Sequence, residues 1–372
     1  MLEAITLKGF RKYKEIKISG FGRVNFILGD NNVGKTTILE GIYAWACGQN
    51  IAPFMNVPLA RGRYVIFQQP YWMMEEVLAI INDRYKIPME MSFVGMDDGK
   101  EVAFEHRIYP SDVLTEYDST YKKFSEKIVP STNAITGKEQ PIIQGLQGMI
   151  PQYNPVLIAR WDIKGKDDIV SVDIKSFSSL TSAKKPYKSA KFIDLLSHTA
   201  VAENVQIYGA LKREALLDEV TNKMREIFPE IKGFDMIPYP DGSQAPVSVV
   251  KNDGTILPMY AFGDGVQRWF YIIGAISLHK NSIICIDEID TGFHHNAHAN
   301  FGRNIIEYAK ENNVQLFLST HNKEFIDEFL NINNDQDVKV YTVKDVEGNN
   351  KIRCLNAVEA MNARNEYGVE LR

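Results

Sequence analysis

The chain has 372 residues, 45% of them hydrophobic and 24% charged, and 42 Lys and Arg against 47 Asp and Glu leave a net charge of −5. So much apolar material with so little net charge can bury a large core, which excludes a disordered, collagen-like or low-complexity chain. A globally basic nucleic-acid binder is excluded too, although a local basic groove is not. At roughly 150 residues per domain the length predicts two or three domains, or one domain with insertions.

Cys47, Cys285 and Cys354 form no CxxC pair and no Cys/His cluster, so neither a disulfide framework nor a zinc site organises the fold. A reducing cytoplasm is the expected compartment. The longest apolar run, Phe270 to Leu278, is about half of the roughly 18 residues a membrane span needs, and the opening Met-Leu-Glu-Ala-Ile-Thr has no signal-peptide character. Membrane insertion and secretion are not expected.

In chain order, Leu2 to Phe10 alternates as a half-buried strand, and Val24 to Leu28 is an apolar run that ends at Gly29. From Thr36 to Cys47 the spacing turns helical, with Ile38, Leu39, Ile42, Tyr43 and Ala46 on one face and Gly48 as the stop. A helix is predicted over 71–85 and a hairpin over 89–108, turning at Asp97-Asp98-Gly99. A second alternating pair flanks Gly165 to Asp168, from Val156-Leu157-Ile158 to Val170–Ile174. Polar stretches follow at 130–140 and 176–191, the second carrying Lys184, Lys185, Lys188 and Lys191. That lysine group reads as a solvated loop before it reads as a phosphate-contacting patch. Residues 192–228 are predominantly helical, and 229–258 are rich in turn formers.

Regular structure resumes with a helix over 267–279, a buried strand at Ile283–Ile286, a helix over 296–312 and a strand at Val314–Ser319. A helix near 323–330 and a hairpin around Glu347-Gly348-Asn349-Asn350 close the chain. Two α/β blocks thus sit at the two ends, and neither has a complete sheet. One sheet drawn from both ends, with the middle inserted, is the expected arrangement.

The strongest chemical signal is Gly29-Asp30-Asn31-Asn32-Val33-Gly34-Lys35-Thr36, which fits G-x-x-x-x-G-K-[ST] between a predicted strand and a predicted helix. Its glycines let backbone N–H groups curl around phosphates at a helix N-terminus. Lys35 would neutralise the β- and γ-phosphates, the Thr36 hydroxyl would coordinate Mg2+, and Thr37 continues the nucleotide-binding segment. The apolar strand Ile283–Ile286 ends in Asp287-Glu288, placing two acids at a sheet edge where ligands bind. Asp287 would act on Mg2+, and Glu288 would polarise the attacking water. The strand Val314–Ser319 ends in Thr320-His321, which brings His321 to the same edge.

Lys35 and Asp287 stand 252 positions apart, far more than in a minimal P-loop enzyme. On these motifs the chain resembles ATPases with the ABC-type head shared by the SMC and RecF proteins. It is most similar to the small bacterial AAA-15/AAA-21 and OLD-family ATPases. The resemblance covers both ends of the chain, about half of it. Lys8-Gly9-Phe10-Arg11-Lys12-Tyr13 is similar to the first-strand segment in which an arginine, here Arg11, contacts nucleotide. Phe262-Gly263-Asp264-Gly265-Val266-Gln267-Arg268 occupies the place of the ABC signature, with Gly263 where the usual serine stands and Asp264 where a glycine stands. Gly263, Asp264 and Gly265 would then face a phosphate bound by a second copy. His321 matches the switch histidine. Thr291 to His295 sits where the D-loop follows the catalytic glutamate, with His294 in place of the acid, and Gln68 or Gln69 stands at a plausible Q-loop distance.

The resemblance implies an α/β P-loop NTPase with an ABC-type ATPase head, a mixed sheet flanked by helices, and an inserted mixed α/β-helical lobe. Residues 1–110 and 259–372 would form the head, and 111–258 the insertion. It implies ATP and Mg2+ as ligands, Lys35, Glu288 and His321 as catalytic residues, and a homodimer or higher oligomer closing on ATP. OLD nucleases carry a TOPRIM domain after the head, and the 51 residues beyond His321 are too few for one. The expectation is therefore an ATP-driven sensor or scaffold that controls a separate effector, a TOPRIM-type nuclease, in anti-phage defence, with a phage-encoded trigger. The alternative is a RecF-like ATPase that binds DNA directly in repair or chromosome maintenance. An ATP-binding subunit of a membrane transporter fits poorly, because its signature keeps the serine and its motif gap is shorter.

Overall fold

In the computed structural model, residues 1–51, 79–83, 88–110, 128–132, 139–143, 159–174, 184–237, 245–292, 298–332, 337–346 and 349–367 are described. The chain divides into two compact units. Residues 20–43 and 188–372, with Met1, make the first, and residues 2–19 and 44–187 make the second.

Runs of apolar residues without alternation suit strands covered on both faces, and the first unit is built on them. Its strands are β3 (Val24–Gly29), β10 (Ala190–Ile193), β14 (Ile283–Ile286), β15 (Gln315–Ser319), β16 (Val338–Val346) and β17 (Asn349–Asn356). They form one sheet in the order β10-β14-β15-β3-β16-β17. Every pairing is parallel except β16 with β17. Every residue of β3, β14 and β15 is buried, Asn25 among them, with its amide hydrogen-bonded to Gly22 O and Leu316 O. Parallel order puts the C-terminal ends of β3, β14 and β15 at one edge, the edge where open α/β sheets bind ligands.

Helices complete this unit: α1 (Lys35–Cys47), α2 (Val201–Arg213), α3 (Leu217–Ile227), α4 (Asp264–Leu278), α5 (His298–Glu311), α6 (Lys323–Ile332) and α7 (Ala357–Tyr367). The last turn of α1, from Ala44, belongs to the second unit. Helix α4 is buried almost all round, with Trp269, Phe270, Ile272, Ile273 and Ile276 in the core beside Val24, Phe26 and Leu28 of β3. Helix α6 presents an apolar face, and the Phe329 ring stands edge-on to Phe26 at 4.5 Å. Burying a side chain of that size stabilises by about 1.5–3 kcal/mol. A small antiparallel sheet, β11 (Ile231–Asp235), β12 (Ser248–Lys251) and β13 (Ile256–Pro258), lies in the segment read as turn-rich.

The second unit is an antiparallel sheet in the order β2-β1-β4-β5-β8-β9. Its strands are β1 (Leu2–Phe10), β2 (Tyr13–Ser19), β4 (Met89–Asp97), β5 (Lys100–Pro110), β8 (Ala159–Lys164) and β9 (Ile169–Ile174). Strand β4 alternates buried and half-buried residues along its whole length, the pattern of a sheet with one covered face. The β4–β5 hairpin turns at Asp98-Gly99 as expected, with Asp97 opposite Lys100. A two-stranded ribbon, β6 (Ile128–Thr132) with β7 (Glu139–Ile143), is also present.

Two sequence expectations need correcting. Strand β3 does join strands from the far end of the chain, but β1 and β2 belong to the second unit's sheet rather than to that one. Residues 188–258, assigned to the insertion, belong to the first unit, because β10 pairs with β14 and because α2 and α3 pack into its core. The helix expected over 71–85 lies largely outside the described residues.

Candidate active site

The phosphate-loop sequence forms the turn from β3 into α1. Gly29 has a φ of 144°, and a Cβ there would lie 2.3 Å from Val343 O and 2.9 Å from Val33 Cγ2. Only glycine fits that approach of the loop to β16. Asn32 (φ 64°) and Gly34 (φ 99°) continue the curl into left-handed backbone. Val33 is buried and anchors the loop, while Asp30, Asn31 and Asn32 are exposed. Helix α1 begins at Lys35, and its first N–H groups have no partner within the helix, which makes this end an anion site. Lys35 is almost fully buried; its Nζ donates to Gly29 O at 2.8 Å and to Asp30 O at 2.9 Å. Burial lowers its pKa, opposed by the charges of Glu288, Asp287 and Asp30.

Asp287 closes the strand β14 beside the start of α1. The Thr36 hydroxyl donates to its carboxylate, 3.0 Å from Oδ1 and 2.9 Å from Oδ2. The buried Ser319 hydroxyl, at the end of β15, donates to Asp287 Oδ1 at 2.6 Å. That same Ser319 oxygen accepts the Glu288 backbone N–H at 2.9 Å, so one residue of β15 fixes both acids.

Glu288 follows in a left-handed conformation, φ 51°. Its Oε1 accepts from His321 Nε2 at 2.9 Å. The other ring nitrogen, Nδ1, stands 3.3 Å from Lys35 Nζ, and the lysine donates there. These neighbours assign the Nε2–H tautomer to a neutral imidazole. Burial, then Lys35, lowers the His321 pKa. Burial, then the charges of Asp287 and Asp290, pushes the Glu288 carboxyl up to about 7. Asp290 in turn accepts from the Thr320 hydroxyl.

Thr36 and Asp287 offer a hydroxyl and a carboxylate within hydrogen-bond reach of each other, a hard-oxygen pair suited to Mg2+. Among the described residues no three His, Cys, Asp or Glu side chains gather into a metal cage.

The structure brings Gly29 to Thr37, Asp287, Glu288 and His321 together. Gly263, Asp264 and Gly265 stand at the N-terminus of α4, where Asp264 pairs with His198 instead of with the phosphate loop. Arg11 lies in the β1–β2 turn of the second unit, its backbone N–H bonded to Ile80 O. Gln68, Gln69, His294 and His295 lie outside the described residues.

Sequence reasoning missed Ser319 and His198, and it carried Arg268 only as the last residue of the signature-like string. A serine closing an otherwise apolar buried strand, and an arginine inside the apolar helix Val266 to Leu278, were legible signals. Nothing local marked His198.

Comparison with known proteins gives the fold a context. Residues 24–327 match the family model described as "AAA domain, putative AbiEii toxin, Type IV TA system". Over 95% of its length and 92% of the relative's, the chain is 24% identical to a Helicobacter pylori protein named ATP/GTP phosphatase. It is 38% identical over 52 residues to the DNA replication and repair protein RecF of Idiomarina loihiensis, 14% of this chain and 15% of that one. An SMC head bound to the C-terminal winged-helix domain of ScpA superposes with a TM-score of 0.53 at 15% identity, covering 97% of this chain and 99% of that one. A Pyrococcus furiosus Smc head gives a TM-score of 0.50 at 13% identity, over 99% of both chains. The fold is that of the SMC-type, ABC-like P-loop ATPase head, α/β with sheets flanked by helices.

Proposed function

The chain belongs to the AAA_21 family, and on that premise we propose that it binds ATP and hydrolyses it to ADP and phosphate. The observation that carries the reading is one hydrogen-bonded constellation: Lys35 to His321, His321 to Glu288, and Thr36 and Ser319 to Asp287. In this reading the loop N–H groups from Gly29 to Thr37 and the Lys35 ammonium hold the phosphates. Mg2+, held by Thr36 and Asp287, supplies charge neutralisation of the phosphate oxygens when bound. Glu288 accepts a hydrogen bond from the attacking water and takes its proton as the oxygen bonds to the γ-phosphorus and the bond to the ADP oxygen breaks. His321 holds the Glu288 carboxylate in place.

Phosphate release from Mg-ATP tests the proposal. Lys35→Ala should abolish nucleotide binding, whereas Glu288→Gln should retain binding and lose turnover. A wild-type chain that neither binds nor hydrolyses ATP, or a Glu288→Gln variant turning over at the wild-type rate, overturns it.

The reading extends to an ATP-dependent switch. Two copies would face head to tail, with ATP held between the Lys35 loop of one copy and the Gly263–Gly265 segment of the other. That segment begins α4, whose first N–H groups suit a phosphate. ATP would bind the closed pair better than the open one, and hydrolysis would release that difference. The partner we assign is a separate effector, a TOPRIM-type nuclease, restrained and released in answer to a phage-encoded trigger in the cytoplasm. The toxin-system wording of the family description supports an effector, and the ScpA-bound SMC head supports a protein partner docked on such a fold. No described helix is long and apolar enough to cross a membrane. Light scattering of Glu288→Gln with ATP reads the oligomer, and copurification from the native operon reads the partner.

The RecF similarity supports a second reading, direct binding to DNA. It requires affinity that falls steeply with salt. In the lysine group Lys184 is bridged to Asp168 at 2.5 Å, which favours the solvated-loop interpretation there, whereas Lys191 lies on strand β10, half-buried and bridged to Glu203 at 3.6 Å.

A further inference from the structure

Arg268 is a fully buried guanidinium in a helix otherwise lined with apolar side chains, and each of its terminal nitrogens is committed. Nη2 donates to the backbone carbonyls of both Asp287 and Glu288, each at 2.8 Å. Nη1 donates to Asp194 O at 3.1 Å, to Leu195 O at 3.3 Å and to His198 Nδ1 at 3.2 Å. His198 is buried in a short 3-10 turn, Ser197–Thr199, and its carbonyl accepts from the Asn204 amide at 2.7 Å. Its second ring nitrogen, Nε2, donates to Asp264 Oδ1 at 2.6 Å. The Asp264 carboxylate is itself 44% exposed, at the first residue of α4. The chain of contacts closes on the far side too, because Gly292 comes so close to Asp264 that a Cβ there would lie 2.7 Å from Asp264 Oδ2.

A buried guanidinium needs both charge balance and hydrogen-bond acceptors, and the carboxylates of Asp264, Asp194, Asp290 and Asp287 surround this one. Those groups would serve a structural anchor equally well. What singles out a role in the reaction is where Nη2 points: to the two peptide carbonyls that bracket the left-handed turn of Glu288. A non-glycine residue at φ 51° is held there by its surroundings: the two carbonyl bonds from Arg268 and the Ser319 bond to the Glu288 N–H act on that turn together with the Thr291 N–H on Glu288 O at 3.1 Å and the Ile289 N–H on Ser319 O at 2.9 Å.

We infer that Arg268, oriented by His198 and Asp264, is a positioning residue for Glu288, and that it couples the exposed N-terminus of α4 to the water-activating carboxylate. The inference rests on the proposed ATPase reading. Arg268 touches no substrate and acts only through the peptide geometry of Asp287 and Glu288. A group that binds Asp264 from outside draws on the same side chain that orients His198. Loading of the α4 N-terminus is thereby read at Glu288 through two intervening side chains.

The test compares His198→Leu, which removes both hydrogen bonds, with His198→Gln, which can still accept from Arg268 and donate to Asp264. Asp264→Ala on the exposed end, which removes the acceptor from His198, covers the case in which a substitution at the buried histidine fails to fold. Nucleotide affinity is measured separately from single-turnover hydrolysis. His198→Leu should lower kcat by tenfold or more with KM and ATP affinity within about twofold of wild type, Asp264→Ala should slow single-turnover hydrolysis by a similar factor, and His198→Gln should restore most of the rate. On the Glu288→Gln background, His198→Leu should add no further loss, because both changes act on one group. If the wild type and Glu288→Gln behave as proposed but folded His198→Leu and Asp264→Ala keep the hydrolysis rate within twofold, the inference is overturned while the ATPase reading stands. Additive losses in the double variant overturn it as well. An inactive wild type overturns the parent reading instead.

Discussion

His321 Nε2 donates to Glu288 Oε1 at 2.9 Å while Nδ1 of the same ring accepts from Lys35 Nζ at 3.3 Å. One neutral imidazole thus ties the phosphate-loop lysine of β3–α1 to the acid that closes β14, through a residue that follows β15. Three sheet strands report on one another at a single ring.

The Glu288 carboxyl is pushed up to about 7 by burial and by Asp287 and Asp290, against an ordinary value of 4.5. Between those values the folded protein holds a proton that the unfolded chain has lost, so this group's contribution to stability falls as pH rises and is most unfavourable above 7. Glu288→Gln removes the charge and keeps an acceptor for His321. In protein free of nucleotide and metal, its Tm should exceed the wild type's by roughly a few degrees at pH 8, and the gain should vanish near pH 4.5. Scanning calorimetry at both pH values checks this, and a variant less stable than wild type at pH 8 contradicts it.

Ser319 is fully buried and holds Asp287 Oδ1 and the Glu288 N–H with one hydroxyl. Ser319→Ala leaves that N–H without its acceptor, a cost of about 1–3 kcal/mol. The expected result is a lower urea midpoint with an unchanged m-value, together with reduced ATP turnover. Chemical denaturation of the purified variant measures the first, and phosphate release the second.

The site's two strongest parts were legible because each is a local pattern. A strand, a glycine loop and a helix sit consecutively in residues 24–47, and an apolar run ends in two acids at 283–288. Strand β10 was hidden because it has only four residues and takes its identity from lying parallel to β14, about 90 positions away. The strands β11 to β13 are three to five residues long amid turn formers, and the three-stranded pairing, not the local pattern, creates them. Helix α4 begins at Asp264, three residues before the predicted start, because glycines and an acid make a poor helical pattern although an acid suits the first turn. His198 gave no signal because its partners, Asp264 and Arg268, lie 66 and 70 positions away.

Thr36 offers the hydroxyl of the proposed metal pair, and valine matches threonine in shape without it. Thr36→Val should leave weak, metal-independent nucleotide binding through the loop N–H groups and Lys35, and should abolish the gain in affinity that Mg2+ brings. Titration with a fluorescent ATP analogue in Mg2+ and in EDTA measures that gain. A Thr36→Val variant with the wild-type Mg2+ dependence would remove Thr36 from the metal site.

In the second unit His106 is fully buried on β5, and Nδ1 accepts from Trp161 Nε1 at 3.1 Å. Burial lowers its pKa from 6.5 to about 3. Between those values the unfolded chain binds a proton that the folded one refuses, so stability rises with pH across the window and falls on acidification. The slope for one such group approaches about 1.4 kcal/mol per pH unit. His106→Asn keeps an acceptor for Trp161 but cannot titrate. Moving from pH 6.5 to pH 5 should therefore destabilise the wild type relative to His106→Asn by roughly 2 kcal/mol. Urea unfolding followed by tryptophan fluorescence at each pH gives the two differences, in which groups common to both proteins cancel. Equal acid sensitivity of the two proteins would mean that His106 is protonated in the folded state and that its burial is not what sets its charge.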